Sequence, residues 1–173
     1  MTSKVYTAVP NGIGYKTITV EADANHGFPA LNIIGMASRS IAESRDRIRS
    51  AIRNSGFSFP ANRKIIINLA PADMSKDGTG LDLPIALSIL TLSQQLLQQD
   101  LARRMFVGEL SLNGEIKPIK GIINIVEAAQ RNQIKDLYIP YQNAAQAAIA
   151  VNTKINVFPV KNLRELWLLL KQL

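Results

Sequence analysis

The segment Asp82-Leu83-Pro84-Ile85-Ala86-Leu87-Ser88-Ile89-Leu90-Thr91-Leu92 constrains the fold more than any other. Asp82 reads as a helix N-cap, with Pro84 in the first turn where a missing N–H costs nothing. The helix that follows carries Leu83, Leu87 and Leu90 on one face and Ile85, Ile89 and Leu92 on another. A helix apolar on two faces must be covered from both. Shortly before it, Lys64-Ile65-Ile66-Ile67-Asn68-Leu69 is apolar on both sides of a strand, as an interior strand of a sheet is. A buried helix beside a buried strand calls for a layered α/β domain.

The rest of the chain fits that frame. Val5 to Ala22 reads as a hairpin about Pro10-Asn11-Gly12, and Leu31 to Ile34 as a third strand. Ser38 to Ser55 has helical spacing, with Ile41, Ser44, Ile48, Ala51 and Ile52 inward and Gly56 as the stop. Met105 to Leu112 reads as one strand, Asn113-Gly114 as a type I′ turn and Glu115 to Ile119 as the returning strand. Helices are expected over Ile122–Arg131 and Gln142–Ala150, and strands over Leu137–Ile139 and Ile155–Phe158. Asn162 and Glu165 form a capping-box pattern for a last helix with a Leu163, Leu166, Trp167, Leu170 stripe. The 173 residues make one domain with a mixed sheet, whose strand order the pattern leaves open.

Composition excludes several chemistries. There is no cysteine and a single histidine, His26, so thiolate nucleophiles, disulfides and His-rich metal sites are out, and no metal site is expected. No apolar run approaches the roughly 20 residues of a membrane span, and no signal peptide is visible, so a cytoplasmic protein away from membranes is expected. The net charge of +7 is concentrated: Arg39, Arg45, Arg47, Arg49, Arg53, Arg63 and Lys64 face only Glu43 and Asp46 between Ser38 and Lys64. Such a cluster suits an acidic or phosphate-bearing partner.

Two segments go further. Lys76-Asp77-Gly78-Thr79-Gly80, at a strand-to-helix junction, and Gly108-Glu109-Leu110-Ser111-Leu112-Asn113-Gly114-Glu115-Ile116-Lys117-Pro118-Ile119 resemble the Lon protease domain. There, a Lys-Asp-Gly-Pro-Ser loop presents the nucleophile, and the second motif leads into the helix bearing a lysine base. Lys76, Asp77 and Gly78 match, and Thr79 stands for the proline. The nucleophile's position falls on Gly80 and the base's on Ile123. A Ser-Lys dyad needs a hydroxyl and an amine held neutral by burial; glycine and isoleucine supply neither. The resemblance therefore implies a loop at a former active site, with no catalytic residue. Ser75 and Lys76 are adjacent, and side chains one apart do not generally face each other; over Thr79 and Lys120 as substitutes, a structural loop with Lys120 solvated is favoured.

A second resemblance covers nearly the whole chain. Gly27-Phe28-Pro29-Ala30-Leu31-Asn32-Ile33-Ile34-Gly35, Glu43 to Ile52, Asn68-Leu69-Ala70-Pro71-Ala72-Asp73 and Gly80 to Leu87 are similar to the N-terminal region of the ComM/YifB family of magnesium-chelatase-like AAA+ ATPases. The implied fold is the α/β sandwich of the ribosomal-protein-S5 domain-2 type, shared with Lon. The implied activity of the full-length family is ATP-driven DNA branch migration by a hexameric ring, in recombination and natural transformation. A Gly-x-x-x-x-Gly-Lys-Ser/Thr loop is absent. ATP and magnesium are thus expected only for an ATPase domain following this one, and this chain is expected to hold no cofactor.

Within the basic cluster, Arg45, Arg49 and Arg53 run as a stripe at four-residue spacing along the predicted helix, with Arg47 on the outer face beside Glu43. Arginine suits bidentate phosphate contact, which makes these three the candidate DNA-binding residues. The competing expectation, favoured because the stripe borders the core, is pairing with carboxylates such as Asp73, Asp77 or Asp82. A peptide-binding module keeping the old substrate cleft, and a chelatase-like accessory, are the alternative functions.

Overall fold

The structure, a computed structural model, describes all residues except Met1, Met36, Asp77, Gly78, Thr153 and Leu173, with only the backbone of Ala42, Thr79 and Asp100. Nine strands and five helices are present among them: β1 (Thr2–Asn11), β2 (Gly14–Asn25), β3 (Ala30–Ile34), α1 (Arg39–Asn54), β4 (Lys64–Ala70), α2 (Asp82–Leu92), β5 (Arg104–Phe106), β6 (Glu109–Leu110), β7 (Ile116–Lys117), α3 (Ile122–Arg131), β8 (Asp136–Pro140), α4 (Ala144–Ala150), β9 (Asn156–Val160) and α5 (Leu163–Gln172). Seven strands form one mixed sheet in the order β3-β4-β2-β1-β5-β8-β9, and β6 pairs with β7 outside it.

The sheet has a different cover on each face. Val5, Val20, Ile65, Ile67 and Leu69 point to one side, where they meet Ile48 and Ile52 of α1, all of α2 and Leu163, Leu166 and Leu170 of α5. Every residue of α2 is buried, as its all-round apolar surface requires. On the opposite side Ala8, Met105, Leu137 and Ile139 pack under Ile122, Ile125, Val126 and Ala129 of α3 and Ala147 of α4. Phe106, Tyr138 and Phe158 stack across the β5-β8-β9 part of the sheet, with ring centroids 4.9 Å apart at each step.

β4 is interior, between β3 and β2, but it is not equally covered on its two faces. Ile65, Ile67 and Leu69 are fully buried, whereas Ile66 and Asn68 are half-buried on the side that α3 and α4 leave open. The run of isoleucines conceals this because Ile66 is apolar without being in the core.

Met105 to Leu112 is not one strand. Val107 still donates to the Tyr138 carbonyl at 3.2 Å, but Gly108 turns out of the sheet and donates to the Gly80 carbonyl at 3.0 Å. A Cβ on Gly108 would lie 2.6 Å from the Ile116 side chain, so the close approach of β7 demands glycine there. The hairpin turn is not type I′ either, since only Gly114 has positive φ (86°) and Asn113 does not. Gly114 donates to Ser111 O at 2.9 Å and Ser111 donates to Glu115 O at 3.0 Å, the pattern of a type I turn closed by a left-handed glycine. The cap of α5 matches expectation in one half: Asn162 Oδ1 accepts from the Glu165 N–H at 2.8 Å, but the Glu165 carboxylate accepts from the N–H of Lys161, one residue before the cap, at 2.6 Å.

Candidate functional site: the cleft at the start of the buried helix

The loop after β4 is held at both ends. Lys76 bridges to Ala37, and its carbonyl accepts from the Ser38 N–H at 3.0 Å. The Lys76 side chain is fully buried and its ammonium donates to the Pro71 carbonyl. Burial pushes that ammonium below its ordinary range, with Lys16 adding to the push and Asp73 opposing it. Lys76 therefore turns inward and braces the loop, whereas Lys120 is exposed. Asp77 and Gly78 lie outside the described residues, as does the Thr79 side chain.

Thr79 to Leu81 form a 3-10 turn leading into α2. Gly80 O accepts from Gly108, and Gly108 O accepts from Leu83 N–H at 3.0 Å, which satisfies one of the orphan donors of the first helical turn. This ladder fixes Gly80 in the wall of a cleft of about 350 Å³, where Val9, Tyr15, Glu109, Ile119 and Ile125 also contribute. A Cβ on Gly80 would sit 3.7 Å and 3.8 Å from the Ile119 side chain, in ordinary contact. Space for a larger residue exists there; the hydroxyl is missing because of the residue type alone.

Ile125 lines the cleft, whereas Ile123, the position that motif order assigns to the base, does not. Ile123 is 37% exposed and lies outside the cleft lining, whereas Ile125 is 2% exposed and lines it. Two residues along a helix turn a side chain by about 200°, so the two positions cannot share one cleft. Neither isoleucine carries an amine. Lys120 also borders the cleft, and its carbonyl accepts the Tyr15 hydroxyl at 3.1 Å. Burial pushes the Tyr15 phenol up, so it stays protonated at neutral pH. Gly121 (φ 73°) is required beneath that ring, because a Cβ would meet the Tyr15 oxygen at 2.2 Å.

Asp82 does not cap its helix. Leu81 holds the cap position, and Asp82 turns inward with a side chain 1% exposed. Its carboxylate accepts from Arg47 Nε at 2.7 Å, from Arg47 at a second nitrogen at 3.1 Å, and from the Leu110 N–H at 3.0 Å. Arg47 also donates to the Ser44 hydroxyl at 2.7 Å. Burial raises the Asp82 carboxyl, against the pull of Arg47, Ser44 and Leu110. The bidentate pair in turn holds the Arg47 guanidinium charged. One carboxylate thus joins α1, α2 and the β6–β7 hairpin behind the cleft. The sequence signal was a lone acid at the head of an otherwise apolar helix.

This overturns two expected pairings. Arg47 faces Asp82 rather than Glu43, and Glu43 pairs with Arg39 at 3.1 Å. Asp82 is therefore taken by Arg47 and not by the arginine stripe. Arg45 and Arg53 of that stripe are exposed, while Arg49 is half-buried with its guanidinium 5.0 Å from the Phe59 ring centre. The tryptophan of the last helix is structural: Trp167 Nε1 donates to Gln95 O at 2.7 Å.

A mixed sheet with a buried helix opening at a glycine-bearing loop, and a hairpin folded back onto that loop, defines a Lon-protease-like α/β domain. Residues 20–143 match the family model described as subunit ChlI of Mg-chelatase, and the chain belongs to that family. It is 39% identical over 145 residues to competence protein ComM of Haemophilus influenzae, covering 84% of this chain and 28% of that protein. It is 44% identical over 122 residues to the uncharacterized protein YifB of Escherichia coli, covering 70% and 24% respectively. Lon protease 2 of Bacillus subtilis is 28% identical over 170 residues, 90% of this chain and 30% of the protease. The chain spans about a quarter to a third of the length of these relatives. Among the described residues no helix is long and apolar enough to cross a membrane, and no three His, Cys, Asp or Glu side chains gather as a metal site would need.

Proposed function

We propose that this chain is a Lon-like accessory domain without peptidase chemistry, acting in a ComM-like AAA+ protein that migrates DNA branches. Its role is to help assemble the ring and to guide DNA relative to the motor. What supports this reading is the residue type at the two dyad positions that motif order assigns: Gly80, in the wall of the cleft, has no hydroxyl, and Ile123 has no amine. ATP and magnesium act in the ATPase domain of the full-length protein, and ring closure brings copies of this domain side by side. The setting is cytoplasmic.

DNA guidance falls to Arg45, Arg49 and Arg53, since Arg47 is committed to Asp82. Fluorescence anisotropy with duplex, single-stranded and branched DNA tests this across a salt series. Three phosphate contacts predict a slope of log affinity against log salt of about −2 to −3. The triple variant Arg45→Glu/Arg49→Glu/Arg53→Glu, still folded by circular dichroism, should bind at least about tenfold more weakly in low salt. Absence of binding by the wild type at low salt would leave ring assembly as the role.

A second reading, a peptide-binding adaptor, is favoured by one feature: the cleft wall is largely apolar, from Val9, Pro10, Pro118, Ile119 and Ile125. Salt-insensitive binding of a protein partner distinguishes it.

A further inference from the structure

We propose that the tip formed by the β2–β3 loop and the start of β4 binds single-stranded DNA, with Phe28 as the stacking platform for an unpaired base and Arg63 and Lys64 as phosphate contacts. This rests on the reading that the domain contacts DNA, and it adds a site apart from the arginine stripe of α1. Phe28 is 94% exposed. A single exposed apolar side chain is ordinary; its surroundings set this one apart. The residues on either side of the Phe28-Pro29 step are held against the basic pair. A Cβ on Gly27 would lie 3.8 Å from Lys64 Cβ, and Ala30 donates to the Arg63 carbonyl at 3.4 Å. His26, Arg63 and Lys64 are all exposed, and Pro29 disfavours helical backbone at Phe28. A loop held at both ends thus presents the ring to solvent beside two cations.

No carboxylate opposes that charge on the neighbouring loops. The loop over residues 55–63 joins the one over residues 93–97 through Gln95, whose side chain accepts from the Ser58 N–H at 2.8 Å and donates to its carbonyl at 2.7 Å. Neither these two loops nor residues 26–29 contain an Asp or Glu. Asp23, the nearest acid along β2, already has an interaction of its own. Arg63 also borders a groove of about 430 Å³ with Asn62, Ser93 and Gln94, whose polar groups extend the tip. An exposed ring beside cations suits an unstacked base, because every base has a π-face and every nucleotide a phosphate. Duplex bases are already stacked on their neighbours, so such a platform separates unpaired from paired strands. The α1 stripe has no such preference, since phosphates are common to both. An apolar protein surface would cover Phe28 but gain nothing from Arg63 and Lys64; a nucleotide engages all three.

Fluorescence anisotropy tests this with three labelled probes: a short oligothymidylate, an abasic strand of equal length and a short duplex. The wild type should bind the oligothymidylate about tenfold more tightly than the abasic strand. Phe28→Ala, at a position too exposed to disturb the fold, should remove that difference and leave duplex affinity unchanged. Phe28→Trp, which keeps a π-face, should retain it. Arg63→Gln/Lys64→Gln should make the slope of log affinity against log salt for the single strands shallower by about 1 to 1.5. Equal binding of the oligothymidylate and the abasic strand by the wild type would overturn the proposal. So would a Phe28→Ala variant that keeps the preference, or one that loses duplex affinity to the same degree. Each of these leaves DNA guidance by α1 standing, whereas no binding of any probe at low salt would overturn both.

Discussion

Replacing Arg47 by methionine is expected to destabilise the domain by about 2–3 kcal/mol at neutral pH. Removing one partner of a buried ion pair typically costs 3–5 kcal/mol, and the 25% exposure of the Arg47 side chain reduces that through solvent screening. The cost arises at Asp82, which would keep the Leu110 N–H and the Ser44 hydroxyl but lose its bidentate guanidinium. Its dependence on pH distinguishes this from lost packing. Burial already lifts the Asp82 carboxyl above its ordinary value of 3.8, and without Arg47 the lift grows. A carboxyl whose folded pKa lies above its unfolded one costs nothing while both states are protonated, and destabilises as pH rises through the folded value. The deficit of Arg47→Met should therefore be largest at neutral pH and shrink on acidification toward about pH 4. Asp82→Leu added to Arg47→Met should recover most of the loss, leaving about 1 kcal/mol for the unpaired Leu110 N–H. Chemical denaturation across pH measures all three variants.

Gly35→Ala should do still more harm. Gly35 has φ 97°, and a Cβ there would lie 2.4 Å from the carbonyl oxygen and 2.9 Å from the nitrogen of Leu69. Those are backbone atoms of an interior strand paired on both sides, to β2 and β3, so they cannot move aside without breaking ladders. A loss of about 4 kcal/mol or more is expected, at the upper end for a single substitution. In a chain of this length that lowers Tm by roughly 10 °C. Gly80→Ala is the matched control: its Cβ has ordinary contacts at 3.7 Å and beyond, so its stability should stay within about 0.5 kcal/mol of wild type. Thermal unfolding of the two variants side by side measures the contrast.

The elements with strong periodicity were legible from the sequence, because burial writes them directly into residue type. α2 announces itself by having no polar face, and the cap of α5 by Asn162 and Glu165. What was hidden depends on contacts between distant segments. The strand order joins β1 to β5 across nearly a hundred residues, and no local pattern encodes that. Asp82 sits where a cap residue belongs, and only the approach of Arg47 from 35 residues away turns it inward. Gly108 breaks an apparently continuous strand because Ile116 packs against its bare Cα. Of the cleft, Gly80 at the start of the buried helix was readable from motif order. Motif counting places the base's position at Ile123 but has no access to which side of α3 meets the cleft, which Ile125 lines. The arginine stripe was correctly placed on α1, but its neighbour Arg47, not the stripe, holds the buried carboxylate.

The claim at the centre of this account is that a domain with Gly80 and Ile123 at the two dyad positions does not hydrolyse a peptide bond. Incubation of the chain with casein and with fluorogenic peptides, at pH values from neutral to alkaline, tests it most directly. No turnover above buffer is predicted under any of these conditions, for the wild type and for Thr79→Ala and Lys120→Ala alike. Hydrolysis by the wild type that Thr79→Ala or Lys120→Ala abolishes would contradict it, and would show that the neighbouring hydroxyl and amine had taken over the lost dyad.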